Sequence, residues 1–324
     1  MATPSYTFRP QLLERRARLQ AASGSVSADY LNELLGEVDA ALERIERGSF
    51  GICESCHDSI EIDRLEQNPL TRFCLDHLSQ AELAFHQQDL DLATQIQSRL
   101  LPPCDIALEH WDTQYRYQSV GAVGGDYCEL IPADDGKSLF FAVGDVAGKG
   151  VAASLLMTHL SAIFRSLVSL ELSLADVVSR ANRLFCESTG PAHYATLVCG
   201  RASAQGIELC NAGHCPPLLL RRDATDRLDS TGLPLGIVCG ALYTVHHCSL
   251  GAGESLALYS DGITEAEGTS GDDYQEERLI RALRETFEHG PGAMVDGVLR
   301  DVARFRKPGP PSDDMTLLII RRRV

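Results

Sequence analysis

The stretch AVGDVAGKGVAASLL, Ala142–Leu156, runs from an apolar segment through a glycine-rich turn into a helical pattern. The turn holds one aspartate and one lysine. Its backbone amides could cradle a nucleotide phosphate, or Asp145 could serve a purpose that no phosphate cradle requires. The cradle reading is weak. The glycine-to-lysine spacing and the Lys-Ser/Thr ending of that motif are missing, since Val151 follows Gly150 and Lys149 is flanked by glycines. The glycines read better as space: they let the chain turn sharply and let a backbone carbonyl face an ion.

Working outward, short β-rich runs surround this turn. TQYRYQSV, GGDYCELI, SLFFAVGDV, HYATLVCGRA, GIELCNAG, PLLLRR, LYTVHHCSL and ESLALYSDG are bounded by Gly, Pro or Asp. Helical patterns follow in pairs: GVAASLLMTHLSAIFRSLV with SLADVVSRANRLFCES, then YQEERLIRALRETF with GAMVDGVLRDVARF. MTLLIIRRR closes the chain as a last strand. Strands in blocks and helices in pairs predict an α+β sandwich, not a regularly alternating βαβ fold.

Acids stand where the apolar runs exit into turns: Asp126 after two glycines, Asp145, Asp261 before Gly262, and the pair Asp313–Asp314. One such aspartate is an ordinary turn residue. Several brought together would repel and raise one another's pKa unless hard divalent cations neutralise them, and oxygen-only ligands select Mg²⁺ or Mn²⁺ over zinc. His214 in NAGH reads as a turn residue, and Cys199, Cys210 and Ser154 as poor nucleophiles.

The N-terminal third is different. Leu31, Leu34, Leu35, Val38, Ala41, Leu42 and Ile45 recur at helical spacing, with Ser27 or Asp29 as cap and Gly48 as stop. An earlier helix over roughly Gln11–Ala22 suggests an antiparallel hairpin. CESC, seventeen residues and CLDH follow, so that Cys53, Cys56, Cys74 and His77 can surround one zinc ion tetrahedrally. His57 is a rival fourth ligand that would need a strained turn. Then residues 81–107 form a connector in which Phe85, Leu92, Ile96 and Leu100 share one helical face. Such a stripe fits either a helix packed on its own domain or a two-chain coiled coil, hence a homodimer.

Composition bounds the function. A net charge of −16 argues against nonspecific binding to DNA or to anionic membranes. No run of about 18 apolar residues predicts a membrane span. The start lacks a signal-peptide core, so a cytoplasmic location is expected. Eleven cysteines, an odd number, do not form a secreted framework; Cys128, Cys186, Cys199, Cys210, Cys239 and Cys248 read as small buried hydrophobes.

Two resemblances follow from these motifs. ALERIERGSFGICESC…IEIDRLEQNPLTRFCLDH resembles the zinc finger of the RNA-polymerase-binding DksA/TraR proteins, and the resemblance covers roughly Leu31 to Leu78. His77 stands in place of the last cysteine, and the short tip at Ser23–Asp29 lacks the paired aspartates of those proteins. From about Asp91 to Ile320 the chain resembles the SpoIIE/RsbU branch of the metal-dependent PPM serine/threonine phosphatases. The matching pieces, in order, are DLATQIQSRLLP, VGAVGGDYCEL, FAVGDVAGKGVAASLLM, YATLVCG, ELCNAGHCPPLLL, GLPLGI, LALYSDGITEA and SDDMTLLII.

The second resemblance implies an αββα sandwich holding two Mn²⁺ or Mg²⁺ ions. Asp145 would bridge both, the Val146 carbonyl would complete one shell, Asp261 and Asp313 would bind the other ion, and Asp126 would hold a metal-bound water. Asp314, where relatives often carry Asn, would be a neighbour. The implied substrate is a phosphorylated STAS-type antagonist of an anti-sigma factor. The implied organisation is a zinc module (residues 1–80), the connector and a phosphatase domain (108–324), the module regulating the enzyme. The alternative is a DksA/TraR-like regulator that contacts RNA polymerase and carries an accessory phosphatase domain.

Overall fold

The structure, a computed structural model, describes residues 5–21, 28–77, 80–170, 172–190, 192–309 and 311–324; the side chains of 5–7, 21, 28–30, 33, 67 and 80–86 are not described. The chain divides into two compact units, Met1–Asp89 and Leu90–Val324. Each is described by itself.

In the first unit α1 (Ser5–Ala21) and α2 (Ala28–Glu46) form the hairpin. Phe8 meets Phe50 with ring centroids 5.6 Å apart and Arg16 pairs with Asp39 at 2.8 Å, which makes the helices antiparallel. The first helix starts earlier than its polar sequence suggests, because Phe8 and Leu12 bury against Val38 and Ala41. Gly48, at φ +72°, follows the end of α2. Beyond it lies α3 (Ile62–Gln67), whose Leu65 closes the small core. The tip, with the expected cap Ser27, lies outside the described residues.

The second unit begins within α4 (Gln80–Leu100). Its strands are β1 (Asp105–Ala107), β2 (Trp111–Gln118), β3 (Asp126–Pro132), β4 (Leu139–Val146), β5 (Ala195–Ser203), β6 (Gly206–Ala212), β7 (Leu218–Leu220), β8 (Thr225–Arg227), β9 (His246–Cys248), β10 (Ser255–Tyr259) and β11 (Met315–Arg322). They form two sheets, in the orders β1-β2-β11-β10-β7-β8 and β3-β4-β5-β6-β9, every pairing antiparallel. The remaining helices are α5 (Gly150–Val168), α6 (Leu174–Ser188), α7 (Asp261–Thr264), α8 (Glu276–Glu285) and α9 (Pro291–Phe305).

Three apolar clusters define the layers. Trp111, Phe141, Val198, Leu258 and Leu318 fill the space between the sheets. Phe140, Met157, Phe164, Val178 and Phe185 pack α5 and α6 on the outer face of the five-stranded sheet. Tyr259, Leu279, Met294, Val298 and Leu317 pack α8 and α9 on the outer face of the other. The strands read as nearly continuous apolar runs because each face of each sheet is covered. This is the α+β sandwich that the pattern of strands and helices predicts, with the αββα layering that the family resemblance implies. The strands β1 and β8 and the helices α3 and α7 are too short for periodicity to reveal.

Among the described residues one helix, α5, is long and apolar enough to cross a membrane by length and composition. Its buried residues, among them Ala153, Met157, Leu160 and Phe164, belong to the core over β3 and β4.

Cysteine behaviour corrects the sequence reading. Cys128, Cys199 and Cys210 are buried, as expected, and Cys248 is half-buried. Cys186 and Cys239 are not small buried hydrophobes: they pair as a disulfide, with Cα atoms 5.6 Å apart, and Cys239 lies at the surface. Their separation of 53 residues gives the sequence no pairing signal.

Candidate metal centre

The acidic residues meet at one end of the sandwich. Asp126 opens β3 and lies directly opposite Asp145, near the end of β4. Asp261 follows β10, and Asp313 and Asp314 precede β11, which is the strand paired with β10. The two sheets therefore present their carboxylates to each other at their open ends.

Each acid has its own surroundings. Asp126 is buried, and its Oδ2 accepts the hydroxyls of Ser260 at 2.8 Å and Thr316 at 2.6 Å, which join it to the opposite sheet. Burial pushes its carboxyl well above the usual range against those two hydrogen bonds, with Asp145 and Asp314 adding repulsion. Burial also pushes Asp145 up to about 7, helped by the charges of Asp261, Asp313 and Asp314. Asp261 rises for the same reasons, burial first and then Asp313. Asp314 is committed to the backbone: its Oδ1 accepts Val120 N–H at 2.8 Å and its Oδ2 accepts Gly125 N–H at 2.7 Å. Asp313 is half exposed and pairs with Lys149 Nζ at 2.9 Å, while the same ammonium donates to Ser312 O at 2.8 Å.

Glycines make this convergence possible. A Cβ on Gly125 would stand 3.1 Å from the Val146 carbonyl oxygen and 3.5 Å from Asp145 Oδ1, so both oxygens face the same small space. A Cβ on Gly262 would meet the Asp314 carbonyl oxygen at 2.0 Å. In the opening stretch Gly148 and Gly150 take φ +117° and +69°, which turns the chain from β4 into α5.

A clamp that periodicity does not reveal holds the loop before Asp126. Gln97, on α4, is 5% exposed. Its Nε2 donates to Gly124 O at 2.7 Å and its Oε1 accepts Gly124 N–H at 3.1 Å. Thr94 Oγ1 donates to Ala122 O at 2.9 Å from one turn earlier. Below the loop, Glu129 is buried on β3 and takes a bidentate pair from Arg165 on α5, at 2.8 and 3.0 Å, while Arg165 also donates to Leu100 O at 2.9 Å. Leu92 and Ile96, on the expected connector stripe, are exposed, and the Phe85 side chain lies outside those described.

His214 is not a proton donor to this site. It is buried beside β5, its Nδ1 is 2.8 Å from Thr196 Oγ1, and burial lowers its pKa to about 4. The reading that no cysteine has the Cys-x5-Arg order of thiol phosphatases is wrong at one place, His214-Cys215-x5-Arg221. Here its C-terminal half is strand β7, not a phosphate-cradling loop. Burial, with Asp261 and Glu265 nearby, pushes the Cys215 thiol up to about 12, and Arg221 pairs with Asp226 at 3.0 Å and Glu254 at 3.4 Å.

The N-terminal unit brings its own group together. The ligand atoms of Cys53, Cys56, Cys74 and His77 all lie within 4.8 Å of one another. Cys56 and Cys74 sulfurs are 3.7 Å apart, and Cys74 Sγ is 3.3 Å from His77 Nδ1. Burial raises the Cys53 thiol, but the amides of Cys56, Cys74 and Ser55 outweigh it and bring its pKa down to about 6. Such a thiolate suits zinc. His57 takes φ +62° and donates its N–H to Cys53 O at 3.0 Å; it is not in the group.

These features have counterparts in known proteins. Residues 135–323 match the Stage II sporulation protein E (SpoIIE) family, and residues 48–76 match the prokaryotic DksA/TraR C4-type zinc finger. Protein IcfG of Synechocystis sp. is 25% identical over 268 residues, 72% of this chain and 41% of its own length. Phosphoserine phosphatase RsbU of Bacillus subtilis is 24% identical over 242 residues, 74% of this chain and 71% of its own. The crystal structure of the RsbU and RsbW domains of Rv1364c from Mycobacterium tuberculosis superposes with a TM-score of 0.59 at 25% identity, covering 68% of this chain and 62% of that one. The chain thus spans less than half of IcfG and somewhat under two thirds of the Rv1364c fragment. With the family match running through β4, the acidic ends of both sheets and β11, the chain belongs to the SpoIIE family of PPM-type serine/threonine phosphatase homologues, here joined to a DksA/TraR-type zinc finger.

Proposed function

We propose that the chain is a metal-dependent phosphoserine/phosphothreonine protein phosphatase. The observation that carries this reading is the convergence of Asp145, Asp261, Asp313 and the Val146 carbonyl at the open ends of the two sheets. Their donors are all oxygens, and burial together with the neighbouring carboxylates raises the pKa of Asp145 and of Asp261. That set fits Mn²⁺ or Mg²⁺. Asp145 would bridge two ions, Val146 O would complete one shell, and Asp261 and Asp313 would hold the second. Asp126 would orient water from its hydroxyl-anchored position, and Asp314 would fix the loop over residues 120–125. When bound, the ions supply charge neutralisation of the phosphoryl oxygens and a water of lowered pKa. No side chain is required as a covalent nucleophile.

The substrate reading is a phosphorylated STAS-type protein in a partner-switching pathway, supported by the likeness to RsbU. The chain is read as three parts: a regulatory zinc module over residues 1–80 with one Zn²⁺ on Cys53, Cys56, Cys74 and His77, a connector over 81–107, and the catalytic domain over 108–324. The exposed Leu92 and Ile96 support dimerisation through the connector. The match of residues 48–76 to DksA/TraR fingers supports the alternative, contact with RNA polymerase. Co-elution of the full chain with core RNA polymerase on gel filtration tests it, and separate peaks would remove it.

The decisive assay for catalysis is Mn²⁺-dependent hydrolysis of a phosphoaryl ester. Asp145→Ala and Asp261→Ala should each abolish it, and an unchanged rate in either variant would overturn the assignment.

A further inference from the structure

The catalytic reading makes no use of the Cys186–Cys239 pair. Cys186 lies near the C-terminus of α6, and Cys239 on a loop over residues 232–242 that pairs with Ala195, the first residue of β5, at the end of the five-stranded sheet that carries Asp145. Asn182 and Leu235 also hold this loop. Asn182, fully buried on α6, donates to Val238 O at 2.9 Å and Cys239 O at 3.2 Å and accepts Gly236 N–H at 2.9 Å. Leu235 exchanges backbone hydrogen bonds with Ala195 at 2.8 and 3.0 Å. Ala195 pairs with Val146, and Ala147 donates to Tyr194 O at 3.0 Å. The loop is therefore one strand removed from the turn that carries Asp145 and the Val146 carbonyl. It presents Leu233, Ile237, Val238 and Leu242 to solvent.

We infer that Cys186 and Cys239 form a reversible thiol–disulfide site whose oxidation pins this rim loop to α6 beside the metal centre. The Cα separation of 5.6 Å lies within the range a disulfide spans. Cys239 is exposed and open to attack from solvent, while Cys186, half-buried behind it, is placed as the resolving thiol. The oxidant is a low-molecular-weight disulfide. The Cys239 thiolate attacks one of its sulfurs, and the first small thiol leaves and takes a proton. The Cys186 thiolate then attacks the Cys239 sulfur and expels the second small thiol. Two protein protons and two electrons pass to the reagent, which ends as two thiols. Reduction by excess thiol reverses both steps. Cys199 and Cys210, buried with their thiols raised by burial, take no part.

The test equilibrates the full-length, metal-loaded protein with glutathione at varied ratios of oxidised to reduced form. Free thiols are trapped by alkylation and located by peptide mass, and amide hydrogen exchange is followed over residues 232–242. The expected result is that Cys186 and Cys239 lose alkylation together as the oxidised share rises, while exchange over residues 236–241 slows about tenfold. Cys239→Ser should leave Cys186 alkylatable at every ratio and exchange fast throughout. Full alkylation of both residues under oxidising conditions, a stable glutathione adduct on Cys239 alone, or exchange unchanged by oxidation would each overturn the inference. None of these readouts needs catalysis, so their failure is distinguishable from failure of the phosphatase reading.

Discussion

Replacing Gln97 by leucine isolates the clamp on the loop before Asp126. The side chain keeps roughly its volume, so the change removes two hydrogen bonds more than it removes packing. Gly124 N–H and C=O, both buried, lose their Gln97 partners at 3.1 and 2.7 Å. An unsatisfied buried backbone group costs about 1–3 kcal/mol, so the pair costs about 3 kcal/mol. For a unit of this size each kcal/mol lowers Tm by about 2–4 °C, which gives a fall of about 6–12 °C in the transition of the larger unit. Calorimetry of the metal-free protein reads it directly. Gln97→Glu separates the two bonds: it keeps an acceptor for Gly124 N–H, loses the donor and adds a charge on the loop side of Asp126 and Asp314. It should be as destabilised as the leucine variant, and more so at pH 8 than at pH 5. A Tm within about 2 °C of wild type for Gln97→Leu would refute the claim that this amide supports the loop.

Other perturbations bear on the same site. The raised pKa of Asp145, about 7 against an ordinary 3.8, means that its contribution to stability is full below about pH 4 and is lost as pH rises through about 7. Discounted for its partial exposure, the loss is about 2 kcal/mol, so in chelator Asp145→Asn should flatten the fall in Tm between pH 5 and pH 8; parallel curves would contradict it. Gly125→Ala places a methyl group 3.1 Å from the Val146 carbonyl oxygen and should weaken Mn²⁺ binding about tenfold by calorimetric titration; unchanged affinity would remove that carbonyl from the ligand set. Arg165→Met leaves the buried Glu129 carboxylate with only Ser161 at 3.0 Å among its side-chain partners and should cost about 3 kcal/mol in urea unfolding; a cost under about 1 kcal/mol would contradict the claim that this pair holds α5 to β3.

The longer strands and the helices α5, α6, α8 and α9 were legible because continuous apolar runs and 3.6-residue periodicity survive burial on both faces. The acids were legible because each stands at one boundary, start or finish, of such a run. Gln97 was not, since a glutamine on an amphipathic helix reads as solvent-facing and nothing local reveals that Gly124 lies against it. Ser260 and Thr316 sit inside strand-like text, and their role appears only when β10 and β11 bring them across to Asp126. His214-Cys215-x5-Arg221 shows the reverse failure: residue order suggests a thiol chemistry that burial of Cys215 and the extended backbone of β7 forbid.

The central claim is that the ends of the two sheets form one divalent-metal centre built on Asp145. Metal content of the purified full chain, equilibrated with Mn²⁺ and freed of excess, tests it directly when wild type and Asp145→Asn are compared. The account predicts two Mn²⁺ and one Zn²⁺ per wild-type chain, with Mn²⁺ lost and Zn²⁺ retained in the variant. Equal Mn²⁺ in both proteins would contradict it.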